Sequence, residues 1–366
     1  MNLLARYIVG EVLRGVAITL AALTSIVAFV DTVAQLGDVG TNDYGFAQAA
    51  EFVALGLPAA VVDVLPAAAL IGALLALGNL AVHRELVVMR ASGVAPTQLL
   101  GAVSIAGLML VVVMVLLGES LAPSLAAYAR EMRTRALHND VDLEGGQSAW
   151  LKAGDHILNF RRQEGALEFR GGVFLFELGP RETLTRIARA DSADVGLGSD
   201  WVLKNYAETR FAYAGPDRLP GRIEAERQRE VHKDYGLSPD LLGLAVVRED
   251  LLTTPGLKRY IAYLRSNDLD ATKYLVAYWL RMANTVSVLL MTVLALPFVF
   301  GSLRSAGAGG RLVVGLVIGL AYYVASQMLA HGGEVFGIDP RIVAWTPTAV
   351  LLLVTGVAFW RLQRPG

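Results

Sequence analysis

Six apolar runs, each long enough to cross a bilayer, constrain this chain more than any other feature. A helix needs roughly 20 apolar residues to span the hydrocarbon core. Runs of this length lie near residues 12–33, 52–82, 97–122, 272–300, 311–331 and 342–360. Only 18% of the 366 residues are charged, against about 25% in soluble proteins. The sequence therefore predicts an α-helical membrane protein with six transmembrane helices.

A long polar stretch, from about Pro123 to Asp270, separates the first three apolar runs from the last three. It contains short segments that mix β-branched and aromatic residues, and turns separate them: AWLKAGDHILNF, LEFRGGVFLFEL, LTRIARADSADV and DWVLKNYAETRFAY. Short strands at near-regular spacing are typical of a sandwich or a partly open barrel. We therefore predict an inserted β-sandwich or jelly-roll-like domain over residues 124–270, between membrane segments 1–123 and 271–366.

Helices are expected at both flanks of this β domain. The segment SLAAYAREMRTRAL continues the third apolar run. In TTPGLKRYIAYLRSN, the apolar residues Leu257, Tyr260, Ile261 and Leu264 recur at helical spacing. Such an amphipathic stripe is consistent with a helix that lies on the outer surface of the membrane.

Basic residues in the short connections set the expected orientation, because cytoplasmic loops are enriched in lysine and arginine. Four chain ends or connections carry arginine pairs: Arg6 and Arg14, Arg84 and Arg90, Arg304 and Arg311, Arg361 and Arg364. The connection over 37–51 has three acidic residues and no basic one. All four basic regions fall on one side, so we expect both termini in the cytoplasm and the β domain outside.

The segment RELVVMRASG, between the second and third runs, places four apolar residues between charges. Leu86–Met89 form the apolar centre between Arg84 and Arg90, and Gly93 followed by Pro96 supplies the stop signals of a short helix. The pattern alone leaves two interpretations open. The helix either inserts into a groove of a partner protein, or is a tight turn whose apolar residues rest on neighbouring helix ends.

Several classes of protein are disfavoured by what the sequence lacks. The chain has no cysteine, so disulfides and thiolate sites are impossible, and its net charge of -1 gives no global attraction for nucleic acid. It contains no G-x-x-x-x-G-K-[ST] phosphate loop, no H-E-x-x-H pair and no G-x-S-x-G elbow. A secondary transporter remains an alternative, but the two halves show no clear internal repeat of the kind expected there.

RELVVMRASG and the preceding PAAALIGALLALGNLA resemble the coupling helix and second helix of the LptF/LptG permease family, the membrane part of the lipopolysaccharide export system. Further matching segments are FVD at Phe29–Asp31, GESLAP at Gly118–Pro123 and LALPFVFGSLRS at Leu294–Ser305. The resemblance covers essentially the whole chain. It implies a permease subunit of an ABC transporter in the bacterial inner membrane, which extracts lipopolysaccharide and passes it to a periplasmic bridge.

The resemblance also implies a role for the segment over about 84–92, because the family's coupling helix docks in a groove of a cytoplasmic ATPase subunit. The matching contact residues are Arg84, Glu85, Leu86, Val87, Val88, Met89 and Arg90. Glu85 matches a family acidic residue, the four apolar residues would form a packing surface, and the arginines would flank it. Since this chain has no phosphate loop, ATP and magnesium are expected on the partner ATPase. The chain itself is expected to be non-catalytic and to bind no cofactor or metal.

The family's substrate has acyl chains below an anionic sugar head, which implies an apolar cavity with a positive outer rim. The first, second and fifth helices would supply the apolar part. The tentative substrate-binding residues are Arg130, Arg133, Arg135, Phe29 and Asp31. Arg130 and Arg133 would share one helix face. A solvated charged helix, favoured by Glu131, is the other interpretation of this segment.

This sequence departs from the family where basic residues of the first helix contact the anionic head. The corresponding positions are Ala28, Ala34 and Gln35, and a further one early in the second helix is Ala59. The departure argues against phosphate contacts from the first helix. Either the lipid carries a different decoration, or a partner subunit supplies the charge.

Partners follow from the same resemblance. It implies an LptB-like ATPase dimer, a homologous LptF-type permease, LptC-like and LptA-like subunits of the periplasmic bridge, and lipopolysaccharide. Gly315 and Gly319 have the small-xxx-small spacing that permits close helix approach. They would serve either a seam with the homologous permease or packing within the chain. The role of the other paralogue in the same transporter, and transport of a different lipid or lipoprotein, remain alternatives.

Overall fold

The computed structural model describes residues 3–137, 148–161, 168–180, 183–195, 200–213, 220–235, 249–300 and 307–363. The chain divides into two compact units, residues 1–139 with 272–366, and residues 140–271. The sequence placed the first boundary at 123/124. It falls later because the helix that contains Pro123 continues the third membrane span and belongs to the helical unit.

In chain order the helices and strands are α1 (Leu3–Gln35), α2 (Phe46–Val82), α3 (Glu85–Ala91), α4 (Pro96–Leu116), α5 (Ala122–Leu137), β1 (Ser148–Ala153), β2 (His156–Arg161), β3 (Glu168–Gly179), β4 (Thr183–Val195), β5 (Asp200–Tyr213), β6 (Pro220–Asp234), α6 (Thr254–Ser266), α7 (Thr272–Phe300), α8 (Ala308–Phe336) and α9 (Pro340–Gln363). A π-helical turn, Leu117–Leu121, joins α4 to α5. Within the described residues, six helices are long and apolar enough to cross a membrane. The six predicted spans are therefore confirmed.

α2 is the central helix of the helical unit. Its second half is buried in one core with residues of α1, α4, α7 and α9, and Leu70, Leu74 and Leu77 are fully covered. With 37 residues, α2 is about 55 Å long at about 1.5 Å per residue. This length exceeds the roughly 30 Å hydrocarbon core. Pro58 and Pro66 lie inside α2 without ending it.

Glycines allow α1 and α8 to approach α2 closely. A Cβ atom added to Gly72 of α2 would lie 2.4 Å from the Cα atom of Val16 in α1. A Cβ atom on Gly319 of α8 would lie 2.9 Å from that of Ala67, and Gly315 also lies against α2. Of the two roles open for the small-xxx-small pair, the structure therefore shows packing within the chain.

Polar side chains join the last three helices. The Tyr322 hydroxyl of α8 donates to Oδ1 of Asn284 in α7 at 3.1 Å and lies 3.1 Å from Oγ1 of Thr348 in α9. Nη1 of Arg281 lies 3.6 Å from Oε1 of Glu119 in the π-helical turn. Arg281 therefore pairs with a carboxylate inside the bundle. Such pairs are needed where lipid offers no hydrogen bonds.

The second unit contains one six-stranded antiparallel sheet in the order β1-β2-β3-β4-β5-β6. Leu158, Leu175 and Ala188 are cross-strand neighbours and form part of its buried face. The four predicted strand segments are present. A sandwich or jelly roll distributes its strands over two sheets, whereas the strands of the described residues form a single meander. β6 has no counterpart among the predicted strands.

α6 packs with the β unit through its apolar stripe. Leu257, Tyr260, Ile261 and Leu264 are all buried. The Tyr263 hydroxyl donates to the carbonyl of Lys152 in β1 at 2.8 Å and accepts from its amide at 3.0 Å. The predicted helix is confirmed, but its placement on the membrane surface is wrong, because protein covers the stripe.

Gly72→Ala is expected to destabilise the helical unit, because the new methyl group overlaps the backbone of Val16. Overpacking of this kind costs about 1–3 kcal/mol. Gly101→Ala in α4 is the matched control, since no heavy atom lies within 4 Å of its Cβ position. The measurement is the unfolding free energy in mixed micelles. Equal stability of the two variants would contradict the close α1–α2 contact.

Candidate functional site: a docking helix and a charged rim

α3 is a seven-residue helix with well-defined ends. It begins after Arg84, whose φ is 61°. It ends in a Schellman motif, in which the amide of Gly93 donates to the carbonyl of Arg90 and that of Val94 to Met89, both at 3.1 Å. Gly93 has a φ of 88°, which glycine adopts without steric cost. The short helix and its stop at Gly93 are therefore confirmed.

The four apolar residues of α3 lie in two environments. Leu86 is 2% exposed and belongs to the core of the helical unit, and Met89 packs half-buried against that core. Val87 and Val88 are 51% and 61% exposed. Packing on neighbouring helix ends is therefore confirmed for part of α3, while insertion into a partner groove stays a prediction. Leu86 and Met89 rest on neighbouring helices, while the two valines form an apolar surface that this chain leaves open.

Charged residues attach α3 to two further helices. Oε2 of Glu85 accepts a hydrogen bond from the Tyr7 hydroxyl of α1 at 2.8 Å. The guanidinium of Arg90 lies 5.6 Å from the ring centroid of Phe300 in α7, which is within cation–π range. Arg84 is exposed. Sequence reasoning missed Tyr7 and Phe300, because no local pattern links them to α3.

The arginines proposed for the outer rim are engaged within the chain. Arg133 of α5 makes an ion pair with Asp38 in the α1–α2 connection, and its guanidinium lies 5.6 Å from the ring centroid of Phe52. Arg135 pairs with Glu131 on its own helix. Arg130 is half-buried. The structure thus favours a structural role for Arg133.

Two hydrogen bonds to backbone carbonyls extend the Asp38–Arg133 pair into a clamp between the α1–α2 connection and α5. The Asn42 side-chain amide donates to the carbonyl of Leu137, and the amide of Asp43 donates to the carbonyl of Ala136 at 3.1 Å. Together these contacts fix the C-terminal ends of α1 and α5 and the N-terminal end of α2 relative to one another.

The C-terminal end of α1 adds one more contact near this clamp. Gln35 accepts a hydrogen bond from the Tyr44 hydroxyl at 3.0 Å. Burial raises the pKa of Tyr44, while the positive charge of Arg133 acts in the opposite direction. Phe29 and Asp31 are exposed, whereas the buried residues of α1 all lie within 8–19. Phe29 and Asp31 are thus accessible on the C-terminal half of α1.

Six candidate membrane-crossing helices and an inserted sheet define the chain as a multi-pass membrane protein with a second, β-rich unit. In the described residues, no group of three or more histidine, cysteine, aspartate or glutamate side chains could hold a metal ion. A protein-family model for the lipopolysaccharide export system permease LptF/LptG matches residues 6–364. The chain belongs to this family, and is thus a multi-pass inner-membrane protein.

Curated relatives align over the full chain. The lipopolysaccharide export system permease protein LptG of Haemophilus influenzae is 30% identical over 365 residues, which cover 100% of this chain and 99% of the relative. The protein of the same name from Escherichia coli K12 is 32% identical over 364 residues, covering 99% and 98%. The family resemblance seen in the sequence is confirmed.

Asp38→Asn is expected to loosen the clamp, because it removes the charge that pairs with Arg133. A partly exposed ion pair contributes about 0–1 kcal/mol, so the global stability should change little. The amide of Asp43 should exchange hydrogen up to about fivefold faster. Arg135→Met, which breaks a pair outside the clamp, is the control. Unchanged exchange at Asp43 in Asp38→Asn would show that the pair does not hold the connection.

Proposed function

We propose that this chain is an LptG-type permease subunit of an ABC transporter, and that it extracts lipopolysaccharide from the inner membrane. The observation that carries the proposal is end-to-end similarity to relatives named for this export system. The exposed pair Val87 and Val88, beside Glu85, supports it, since a subunit without its own phosphate loop needs a docking surface for an ATPase.

The α3 end of the helical unit faces the cytoplasm in this proposal, and the β unit faces the periplasm. The support is the arginine bias of the connections at the α3 end. An LptB-like ATPase dimer would dock there and carry ATP and magnesium, while this chain binds no cofactor. Val87 and Val88 would enter the groove of the ATPase. Each contributes about 1.5–3 kcal/mol when fully buried.

A movement of the ATPase would be transmitted through α3 to more helices than its two neighbours in the sequence. α3 is continuous with α2 and α4, but Tyr7 connects it to α1 and Phe300 connects it to α7. Leu86 packs α3 against the core of the helical unit. A displaced α3 would therefore move α1 and α7 as well, and α1 is one of the helices expected at the lipid cavity.

The lipid cavity would form between α1, α2 and α8 of this chain and a homologous LptF-type subunit. α1 and α8 both lie on α2 and expose apolar faces, which include Ile26 and Phe29 on α1, and Val317 and Met328 on α8. Faces of this kind suit acyl chains or a neighbouring membrane helix.

The anionic head of the substrate would meet few charges from this chain. Ala28, Ala34 and Ala59 cannot bind phosphate, and Arg133 is held by Asp38. Arg130 and Arg135, with Phe29 and Asp31 on α1, remain the tentative contacts of this subunit. The homologous subunit would supply the remaining positive charge. The β unit would then pass the lipid to LptC-like and LptA-like β domains through a sheet edge, a known mode of pairing.

Glu85→Lys is expected to leave membrane insertion intact and to weaken ATPase association on the order of tenfold or more, because it reverses a charge on the docking surface. Glu11→Lys, the same change at the same end of the helical unit but outside α3, is the control. Co-purification of the ATPase and ATP turnover are the measurements. Unchanged values in Glu85→Lys would argue against docking at α3.

Val88→Ala and Leu86→Ala should separate docking from folding. Val88 is exposed, so its truncation should weaken ATPase binding without changing the unfolding free energy. Leu86 is buried, so its truncation should cost about 2–5 kcal/mol of stability through the cavity it leaves. Binding and unfolding are measured on the same preparations. Loss of stability in Val88→Ala, or full ATPase binding by it, would contradict this division.

A further inference from the structure

Arg311, in the first turn of α8, is covered by protein although it lies at the end of a membrane helix. Its side chain is 2% exposed, whereas arginines at such positions usually extend to the head-group region. Within the part of the chain that the structure describes, its Nε and Nη2 atoms have no hydrogen-bond partner. These two atoms form the side-on fork that binds both oxygens of a phosphate or a carboxylate. Since a guanidinium keeps its charge, the fork calls for an anionic acceptor.

The packing of α8 on α2 shows where this guanidinium lies. Gly319 faces Ala67, and the two helices run antiparallel, so Arg311 is level with Leu75. A Cβ atom added to Gly78, three residues further along α2, would nevertheless lie 2.4 Å from its Nη1 atom. The side chain therefore extends roughly 4.5 Å beyond its own backbone position, at about 1.5 Å per residue. This places the guanidinium level with the first turn of α8.

The first turn of α8 is an open helix N-terminus. Gly307 is its N-cap and has extended backbone and no side-chain cap. Residues 307–310 are exposed, and no heavy atom lies within 4 Å of the Cβ position of Gly307 or Gly309. The first N–H groups of a helix lack intrahelical acceptors and carry partial positive charge. Among the described residues, no side chain closes the space beside Gly307 and Gly309 to an anion.

We propose that the first turn of α8 and the Arg311 fork form a phosphate-binding site for a phospholipid head group, in the leaflet on the α3 side. A phosphate diester has two free oxygens, which match the fork, and it is also the group that helix N-termini bind. The candidate membrane span begins at Ala308, so the first turn is expected near the depth of the lipid phosphates. A rotation of the flexible Arg311 side chain brings the covered fork onto the bound head group.

The position of the site gives it a consequence for transport. Gly78 lies in the last turns of α2, seven residues before Glu85. A head group held between α8 and this end of α2 ties the two helices together next to the docking helix. This consequence rests on the proposed function, whereas the binding of the lipid does not.

Native mass spectrometry of the delipidated full chain tests the binding, with phosphatidylglycerol as the probe. Arg311→Met removes the charged guanidinium and keeps an unbranched stem of about the same length as the aliphatic part of arginine, and should weaken the tightest phosphatidylglycerol binding about tenfold. Arg361→Met removes an exposed arginine from the last turn of α9, at the same end of the helical unit as Arg311. This variant should bind phosphatidylglycerol like the parent chain. Diacylglycerol with the same acyl chains should show no dependence on Arg311. Equal phosphatidylglycerol affinity of the two methionine variants would overturn the proposal.

Gly309→Val keeps the proposal testable if Arg311→Met fails to fold. Its Cβ atom meets no heavy atom within 4 Å, so phosphatidylglycerol binding should weaken while the unfolding free energy should not fall, since glycine is the poorer helix former. Competition by millimolar inorganic phosphate would assign the site to a soluble anion and overturn the lipid assignment. An effect of Arg311 seen only when the ATPase is present would assign the fork to a partner carboxylate, with the same result. ATPase docking is measured separately, so failure of either proposal is recognisable.

Discussion

Close backbone contact along α2 is the interaction on which the rest of the helical unit depends. Helices in lipid gain little by hiding apolar surface from one another, so their association rests on packing. Gly72, Gly315 and Gly319 permit that packing between α2 and its neighbours α1 and α8. Only two residues separate the end of α2 from the start of α3. A force on α3 therefore acts directly on α2, the helix on which α1 and α8 pack.

The sequence predicts what depends on local composition. The six spans follow from the length of the apolar runs, and the end of α3 follows from Gly93 and Pro96. The apolar stripe of α6 predicts that one face of the helix is buried, but it does not identify what covers that face. The covering strand is distant in sequence, since the contact between Tyr263 and Lys152 joins residues 111 positions apart. β6 escapes prediction because PGRIEAERQREVHKD lacks apolar alternation. This strand pairs only with β5 in the described sheet, and most of its side chains are exposed.

The candidate site shows the same limit at the level of single residues. Leu86 and Val88 are similar apolar residues two positions apart, yet one is rooted in the core and the other is open to a partner. Only the tertiary fold decides which is which. From the sequence, Arg133 is a candidate for the positively charged rim. The structure instead pairs it with Asp38, which lies 95 positions away. The sequence shows the charge of Arg311 but not its burial. From the sequence alone, Arg311 is therefore only one more basic residue that indicates membrane orientation.

Burial also sets Arg311 apart from the other arginines inside the helical unit. Arg133 and Arg281 are partly buried, and each faces a carboxylate. Arg311 is covered more completely, and the described residues give its fork no acceptor. Removing an uncompensated charge from water costs several kcal/mol, so the burial of Arg311 should make the contact between α2 and α8 less stable at its α3 end than at Gly315 and Gly319. The contact between α2 and α8 should therefore open first beside α3. An anion that pairs with Arg311 would keep the two helices together there.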